Sequence, residues 1–310
     1  MVSDVIRSEV YRISLTKSLP IYLLVAFGIA YPIEIKAAEI MVSSTGAGML
    51  IAEFMLAGAM YAPAVAAFVA LLSNGLKLKD CITFLGIIKP GFRWVGYSLA
   101  ITYAILGVCL GLLTIAYGSA TYVTSALELV GSHYFPMGIA GISLLLAVLA
   151  LVAAAGLTIN AVFALGEEIG WRGFLYSTLY RRLGYIASGF IIGFIWGLWH
   201  APLIALLNYD FTMPAYYSPA PPLHILLFCL FTTALNFIML RVRELSGSVV
   251  ATAFIHGTFN VIGGIGLLAS MMLPEYMRFP GGLIGTASAA IVAVCLNIAV
   301  YVRRKALQAR

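Results

Sequence analysis

The sequence predicts an all-α fold, a polytopic membrane helix bundle of about eight transmembrane helices with a polar cavity inside the membrane. Three observations support this. Hydrophobic residues make up 62% of the 310 residues and charged residues only 10%, whereas soluble domains carry about 25% charged residues. The mean hydropathy is +1.02. Apolar stretches of about 20 residues, enough to cross a bilayer, recur along the whole chain.

Eight stretches are predicted to cross the membrane. They are residues 19–33, 47–72, 94–117, 137–180, 185–207, 223–240, 248–272 and 282–302. The first is short because Pro20 and Pro32 are expected to bound it. The fourth is too long for one perpendicular crossing at 1.5 Å per residue. We expect one long helix there, kinked at Gly156, Gly166 or Gly170.

The distribution of Lys and Arg predicts the orientation of these spans. With residues 1–18 as a cytoplasmic lead-in, nearly all basic residues fall in interior loops, and only Lys36 and Arg278 fall in exterior loops. The interior set is Arg7, Arg12, Lys17, Lys77, Lys79, Lys89, Arg93, Arg181, Arg182, Arg241, Arg243, Arg303, Arg304, Lys305 and Arg310. The positive-inside rule therefore predicts a multi-pass protein of the cell (plasma) membrane with both termini in the cytoplasm.

The same distribution explains the formal net charge of +6 without a nucleic-acid partner. No internal repeat or linker divides the chain, so residues 1–310 are expected to form a single integral membrane domain. The polar motifs described next occupy a core at about residues 137–272 of that domain.

Adjacent carboxylates, Glu167 and Glu168, lie inside an apolar stretch, where an ionised group usually has a function or a partner. Consecutive helical residues point about 100° apart, so the two face different directions. Arg172 lies four residues after Glu168, the spacing of a side-chain ion pair. We therefore assign Glu168 and Arg172 to structural support and Glu167 to chemistry. In the alternative, both glutamates only balance Arg172.

A helical hairpin is predicted to bring His200 to Glu167. Glu167 lies about 16 residues before the middle of the basic turn at residues 181–184, and His200 lies about 16 residues after it. In two straight antiparallel helices, both side chains therefore lie roughly 24 Å above the turn. Gly189, Gly193 and Gly197 recur every four residues on the second arm. Small residues at that spacing let membrane helices approach closely. Generic packing alone also explains this ladder.

A third polar element lies on the seventh predicted span. His256 and Asn260 are four residues apart and share one helix face. His133 and His224 lie near span ends and are interpreted as interfacial. Asp210 follows the fifth span and is interpreted as a solvated loop residue.

These groups suit attack of water on an amide. A desolvated glutamate can take a proton from water, with a histidine holding the same water. A second histidine and an asparagine N–H can donate to the oxyanion of the tetrahedral intermediate. In a competing interpretation, Glu167, His200 and His256 form a zinc site with one open position. The spacing does not decide between the two, because the sequence has no H-E-x-x-H helix.

Three motifs, taken in order, resemble the CAAX prenyl protease family, also called type II CAAX endopeptidases (the Ras-converting group) or CPBP intramembrane proteases. They are Glu167-Glu168-x-x-x-Arg172, then Phe194 with His200, then His256-x-x-x-Asn260. The family often has phenylalanine four residues before the histidine of the second motif, whereas this sequence has Trp196. The resemblance covers roughly residues 164–260.

That resemblance implies a helical membrane protease whose site lies within the bilayer and opens toward the cytoplasm. It implies Glu167 as the catalytic carboxylate, His200 as its partner at the water, and His256 with Asn260 as the oxyanion site. It also implies that no cofactor is required, with zinc as the alternative. The expected partners are the lipid bilayer and a membrane-associated or lipidated peptide or protein. Two rival functions remain open: a secondary transporter, and a non-catalytic immunity or scaffold protein.

Overall fold

The structure is a computed structural model that describes residues 13–117, 139–212 and 217–308. Every regular element in these ranges is helical, as predicted. The α-helices are α1 (Leu15–Ser43), α2 (Ala47–Ala59), α3 (Ala62–Leu72), α4 (Leu78–Leu85), α5 (Arg93–Tyr117), α6 (Ile139–Ala155), α7 (Ala161–Glu168), α8 (Tyr176–Trp199), α9 (Ala201–Leu207), α10 (Pro221–Ser246), α11 (Val249–Ser270) and α12 (Leu283–Gln308). Long apolar helices of this kind make the chain a multi-pass membrane protein.

Within the described residues, seven helical runs are long and apolar enough to cross a membrane. One of them, Leu146–Trp199, contains 54 residues. Its helical geometry is broken at Gly184, where φ is 70° and ψ is −176°. Such a positive φ is readily adopted only by glycine. Because the chain turns back at Gly184, this run supplies the fourth and fifth of the eight predicted crossings.

The first arm of this hairpin is continuous but irregular. Two π-helical segments, Gly156–Asn160 and Ile169–Leu175, flank α7. The predicted irregularity is therefore present, although it takes the form of widened turns rather than glycine kinks. Such segments occur often at functional sites, and here they flank the helix that ends at Glu168. Met137, the first residue of the predicted fourth span, lies outside the described residues.

The predicted limits of the first span are wrong. Helix α1 runs from Leu15 to Ser43 and contains Pro20 and Pro32 in its interior. A membrane helix tolerates proline because the freed backbone groups find partners nearby, whereas unwinding in lipid would expose many more. The helix consequently continues through Glu34 and Lys36, and Lys36 is a helical residue paired with Glu39 rather than a loop residue.

Basic side chains gather at one end of the bundle. Lys17 on α1 donates to the carbonyl of Ser73 after α3, and Ser248 before α11 donates to the carbonyl of Ile88 after α4. Arg243 was predicted to lie in an interior loop, but it lies in α10 and is 1% exposed. At the opposite end, Arg278 donates to the carbonyl of Phe211.

The glycine ladder of α8 packs against α10 and not against the first arm of the hairpin. A Cβ atom at Gly193 would lie 2.4 Å from the Cα of Thr233, and one at Gly197 would lie 2.5 Å from the Cα of Cys229. The hydroxyl of Thr232 donates to the carbonyl of Gly193 at 2.9 Å, and Asn236 donates to that of Gly189 at 2.7 Å. The ladder therefore fixes α8, and with it His200, relative to α10.

Candidate active site

One cavity of about 420 Å³ is lined by the four residues predicted to carry the chemistry, Glu167, His200, His256 and Asn260. They come from α7, from the junction of α8 and α9, and from α11. Its volume falls within the usual range of small-molecule sites. The predicted polar cavity is therefore present, and it joins residues that lie 93 positions apart in the sequence (260 − 167).

Glu167 is held by two indole groups. Its Oε2 accepts hydrogen bonds from Nε1 of Trp196 at 2.7 Å and from Nε1 of Trp171 at 3.2 Å. The carboxylate is 1% exposed. Within the described part of the chain both hydrogen bonds go to Oε2, so Oε1 has no protein donor to displace before it binds water. Two fixed donors also hold the side chain in one orientation, as a positioned base requires.

Oε1 of Glu168 contacts Arg172, as predicted, and also His256, which was not predicted. This oxygen lies 2.8 Å from Nη1 of Arg172, and the side chains of Glu168 and Arg172 are fully buried. The same oxygen lies 2.9 Å from Nδ1 of His256. The guanidinium of Arg172 also stacks over the ring of Trp196, 4.1 Å from its centroid. Glu168 and Arg172 therefore support the site directly, by orienting His256 and Trp196.

His200 lies at a break between two helices. Its φ of −85° and ψ of 2° are not helical, and α9 begins after it with Pro202 in the first turn. Pro202 has no backbone N–H, so the α-helical ladder cannot continue unchanged through this point. Nδ1 of His200 lies 3.0 Å from the carbonyl oxygen of Trp196. Because a carbonyl only accepts, Nδ1 carries the proton, and Nε2 of the neutral ring is the free acceptor.

His256 and Asn260 share one face of α11, as their spacing predicts. His256 is 4% exposed and meets the indole of Trp196 edge-on, with the ring centroids 5.3 Å apart. Asn260 is exposed and lies on the cavity wall one turn further along. Since Nδ1 of His256 donates to Glu168, Nε2 is the nitrogen left for a substrate atom.

The side-chain arrangement does not fit the zinc alternative. Across the ranges 13–117, 139–212 and 217–308, no three His, Cys, Asp or Glu side chains are grouped as metal ligands. A tetrahedral zinc site needs all its ligands within about 2 Å of one point. We therefore derive no step through a metal.

Glu34 is a cavity residue that the sequence analysis missed. It lies on α1 beyond the predicted end of the first span, is 0% exposed and lines the same cavity as Glu167. The error arose from treating Pro32 as the end of the helix. The available signal was a carboxylate directly after the 15-residue stretch 19–33, because such a group costs free energy inside a membrane unless it is used or paired.

Asp210 is another cavity residue, and its interpretation as a solvated loop residue is wrong. It is only partly exposed and lines the cavity beside Tyr209. Burial raises the pKa of Asp210 to about 7. The pKa of Tyr209 is raised as well, first by the charge of Asp210, then by burial, and further by Glu167 and Glu34. Tyr209 and these three carboxylates all line the cavity.

Three further predicted residues lie away from the catalytic groups. His224 is at the start of α10, as expected for an interfacial residue, but it is 3% exposed, and its Nδ1 is 2.8 Å from Oδ1 of Asn208. Phe194, part of the second motif, is 44% exposed on the outer face of α8. His133 lies outside the described residues.

The cavity extends toward the end of the bundle where Arg278 contacts Phe211, opposite the end that carries Lys17 and Arg243. Tyr209 and Asp210, which line it, belong to the loop after α9, and the carbonyl of Asp210 accepts from Gly281 at that same end. Two expectations therefore conflict. If the basic end faces the cytoplasm, the cavity extends toward the exterior and not toward the cytoplasm as the family resemblance implies.

Comparison with known proteins addresses the region that contains this site. Residues 140–262 match the family model Type II CAAX prenyl endopeptidase Rce1-like. This match includes all six predicted site residues and confirms the resemblance over that stretch. Within the chain, 42 residues are 40% identical to CAAX prenyl protease 2 of Methanococcus maripaludis. That similarity covers 14% of this chain and 16% of the relative, so it concerns a short segment of each protein and not the whole of either.

Proposed function

We propose that this protein is an intramembrane endopeptidase. It hydrolyses a peptide bond near the C-terminus of a membrane-associated protein or peptide, with or without a prenyl group. One observation supports this above all. A single cavity is lined by the four proposed catalytic residues, Glu167, His200, His256 and Asn260, and all four lie in the region that matches the CAAX endopeptidase model. A transporter would also bury carboxylates and histidines, but the family match favours hydrolysis.

In the proposed mechanism Glu167 takes a proton from the attacking water through Oε1. The two indole N–H groups donate to Oε2 and fix the orientation of the carboxylate. Nε2 of His200 accepts the second hydrogen bond of the same water and orients its lone pair toward the scissile carbonyl. The proton then passes from Glu167 to the leaving amine, so the glutamate serves as base and then as acid, and no metal is required.

The oxyanion would be stabilised by His256 and Asn260. Because Nδ1 of His256 donates to Glu168, Nε2 can donate to an oxyanion only when the ring carries both protons. The carboxylate oxygen that accepts from Nδ1 of His256 also accepts from Arg172, so the orientation of the ring is fixed. The amide of Asn260 supplies a second donor. Each such donor contributes about 3 kcal/mol to stabilisation of the transition state.

We expect purified protein in detergent to cleave an apolar reporter peptide that ends in a CAAX-type sequence, assayed by mass spectrometry with and without a prenyl group. Hydrolysis should persist with a chelator, because the residues at the site do not form a metal-ligand cluster. Loss under chelation with recovery on adding Zn²⁺ would contradict the metal-free route. Uptake of the peptide into proteoliposomes without any cleavage would support a carrier instead.

We further propose that the protein resides in the plasma membrane with its basic end in the cytoplasm. In a variant lacking the four native cysteines, Thr45→Cys probes the loop between α1 and α2, and Lys89→Cys probes the loop between α4 and α5. Both positions are exposed. An impermeant maleimide should label Thr45→Cys on intact cells and Lys89→Cys only after permeabilisation. The reverse pattern would place the cavity on the cytoplasmic side.

A further inference from the structure

Glu34 is a buried acid without a partner in the described structure. Its side chain is 0% exposed, and neither carboxylate oxygen has a hydrogen-bond partner among the described residues. The nearby Lys36 on the same helix is paired with Glu39 instead, at 2.9 Å. Buried polar atoms are nearly always hydrogen-bonded, so an unpaired carboxylate calls for an explanation. The mechanism above does not use Glu34, although Glu34 lines the cavity.

The described lining of the cavity carries several acidic side chains and no lysine or arginine. The acidic side chains are those of Glu34, Glu53, Glu167 and Asp210. The buried guanidinium of Arg172 is bound to Glu168 and is not part of the wall. A cavity with several carboxylates and no Lys or Arg in its described lining attracts a positively charged group from outside.

Aromatic rings complete the wall. Trp196, Trp199, Tyr209 and four phenylalanine side chains line the same space as the acids. Aromatic faces attract ammonium and guanidinium groups, most strongly when the cation is desolvated. Tyr209 lines the cavity together with Asp210, Glu167 and Glu34, so its phenol and the three carboxylates border the same space.

We infer that Glu34 is a specificity-determining residue that binds a cationic side chain of the peptide, a lysine ammonium or an arginine guanidinium, close to the scissile bond. This inference rests on the proposed peptidase function and names its substrate class. A free C-terminal carboxylate would be repelled at Glu34. The substrate therefore presents a basic side chain there, within an otherwise apolar segment that matches the aromatic wall.

A set of apolar ten-residue peptide amides tests this, with lysine, norleucine or glutamate placed in turn at each position beside the cleaved bond. We expect the best lysine peptide to show a KM about tenfold lower than its norleucine counterpart, the effect of one charge-assisted hydrogen bond. Glu34→Gln should reduce that preference in KM to about twofold or less. Glu39→Gln, an exposed carboxylate on the same helix, should keep the full preference.

A binding measurement separates this inference from the proposed function. Glu167→Gln protein, titrated with the uncleaved lysine and norleucine peptides, should bind the lysine peptide more tightly, and Glu34→Gln in that background should abolish the difference. If the preference is seen in binding but no peptide is ever cleaved, the cation site stands and the peptidase proposal fails. Equal cleavage of lysine, norleucine and glutamate peptides by wild-type protein would overturn the inference while leaving the peptidase intact. A Glu34→Gln protein that loses kcat equally on every peptide would also overturn it, because Glu34 would then act in proton transfer.

Discussion

Replacing Glu167 by glutamine is expected to lower kcat for peptide hydrolysis by about 10²- to 10⁴-fold, the usual contribution of a positioned acid–base group. Glutamine has the same shape, and its amide oxygen can still accept from the indoles of Trp196 and Trp171. The fold should therefore be retained, with KM for the reporter peptide little changed. Steady-state kinetics of the purified variant, together with its thermal unfolding midpoint, measure both effects.

The matched control for that variant is Glu39→Gln, an exposed carboxylate outside the cavity. It should retain wild-type kinetics. A Glu167→Gln protein that unfolds at the wild-type temperature and hydrolyses the peptide at the wild-type rate would show that Glu167 is not the base. In that case the cavity would need another proton acceptor, of which Glu34 and Asp210 are the available carboxylates.

Arg172→Met is expected to destabilise the protein by about 3–5 kcal/mol, because it leaves Glu168 as a buried charge without its guanidinium partner. The methionine would fill part of the volume over Trp196 but would remove the cation–π contact. Reversible unfolding in mixed detergent micelles measures the loss. Arg182→Met, at an exposed position of α8, should change the free energy of unfolding very little.

A double-mutant cycle tests the cause of that loss. Glu168→Gln combined with Arg172→Met removes both charges, so the double variant should be more stable than Arg172→Met alone. Strict additivity of the two single effects would contradict a direct ion pair. The double variant should nevertheless hydrolyse peptide poorly, since His256 loses the carboxylate that holds its Nδ1.

Much of the fold follows from local sequence patterns. Hydropathy predicted the helical, multi-pass class, because a lipid-embedded backbone has to satisfy its own hydrogen bonds. The helical repeat predicted the Glu168–Arg172 pair, which lies within one turn. Equal rise on the two arms of a hairpin predicted that Glu167 and His200 lie at matching heights, and both line one cavity.

Other features had no local signal. The end of α1 was misjudged because proline breaks helices in water, whereas the membrane and the neighbouring helices preserve α1 through Pro32 to Ser43. The glycine ladder gave the correct packing chemistry but not the partner helix, since four-residue spacing does not identify which of several neighbours fits against it.

The sequence by itself determined a multi-pass helical membrane protein with Glu167, Glu168 and Arg172 on one stretch and His256 with Asn260 on another. These features depend on composition and on periods of a few residues, which any helix of this sequence would share. Only the tertiary structure decided that Trp196 holds Glu167, that Glu168 holds His256, and that Glu34 and Asp210 face the same space. Such contacts depend on how far each helix is rotated about its axis and on where a break in the helix changes its direction. Packing against segments that are distant in sequence fixes both.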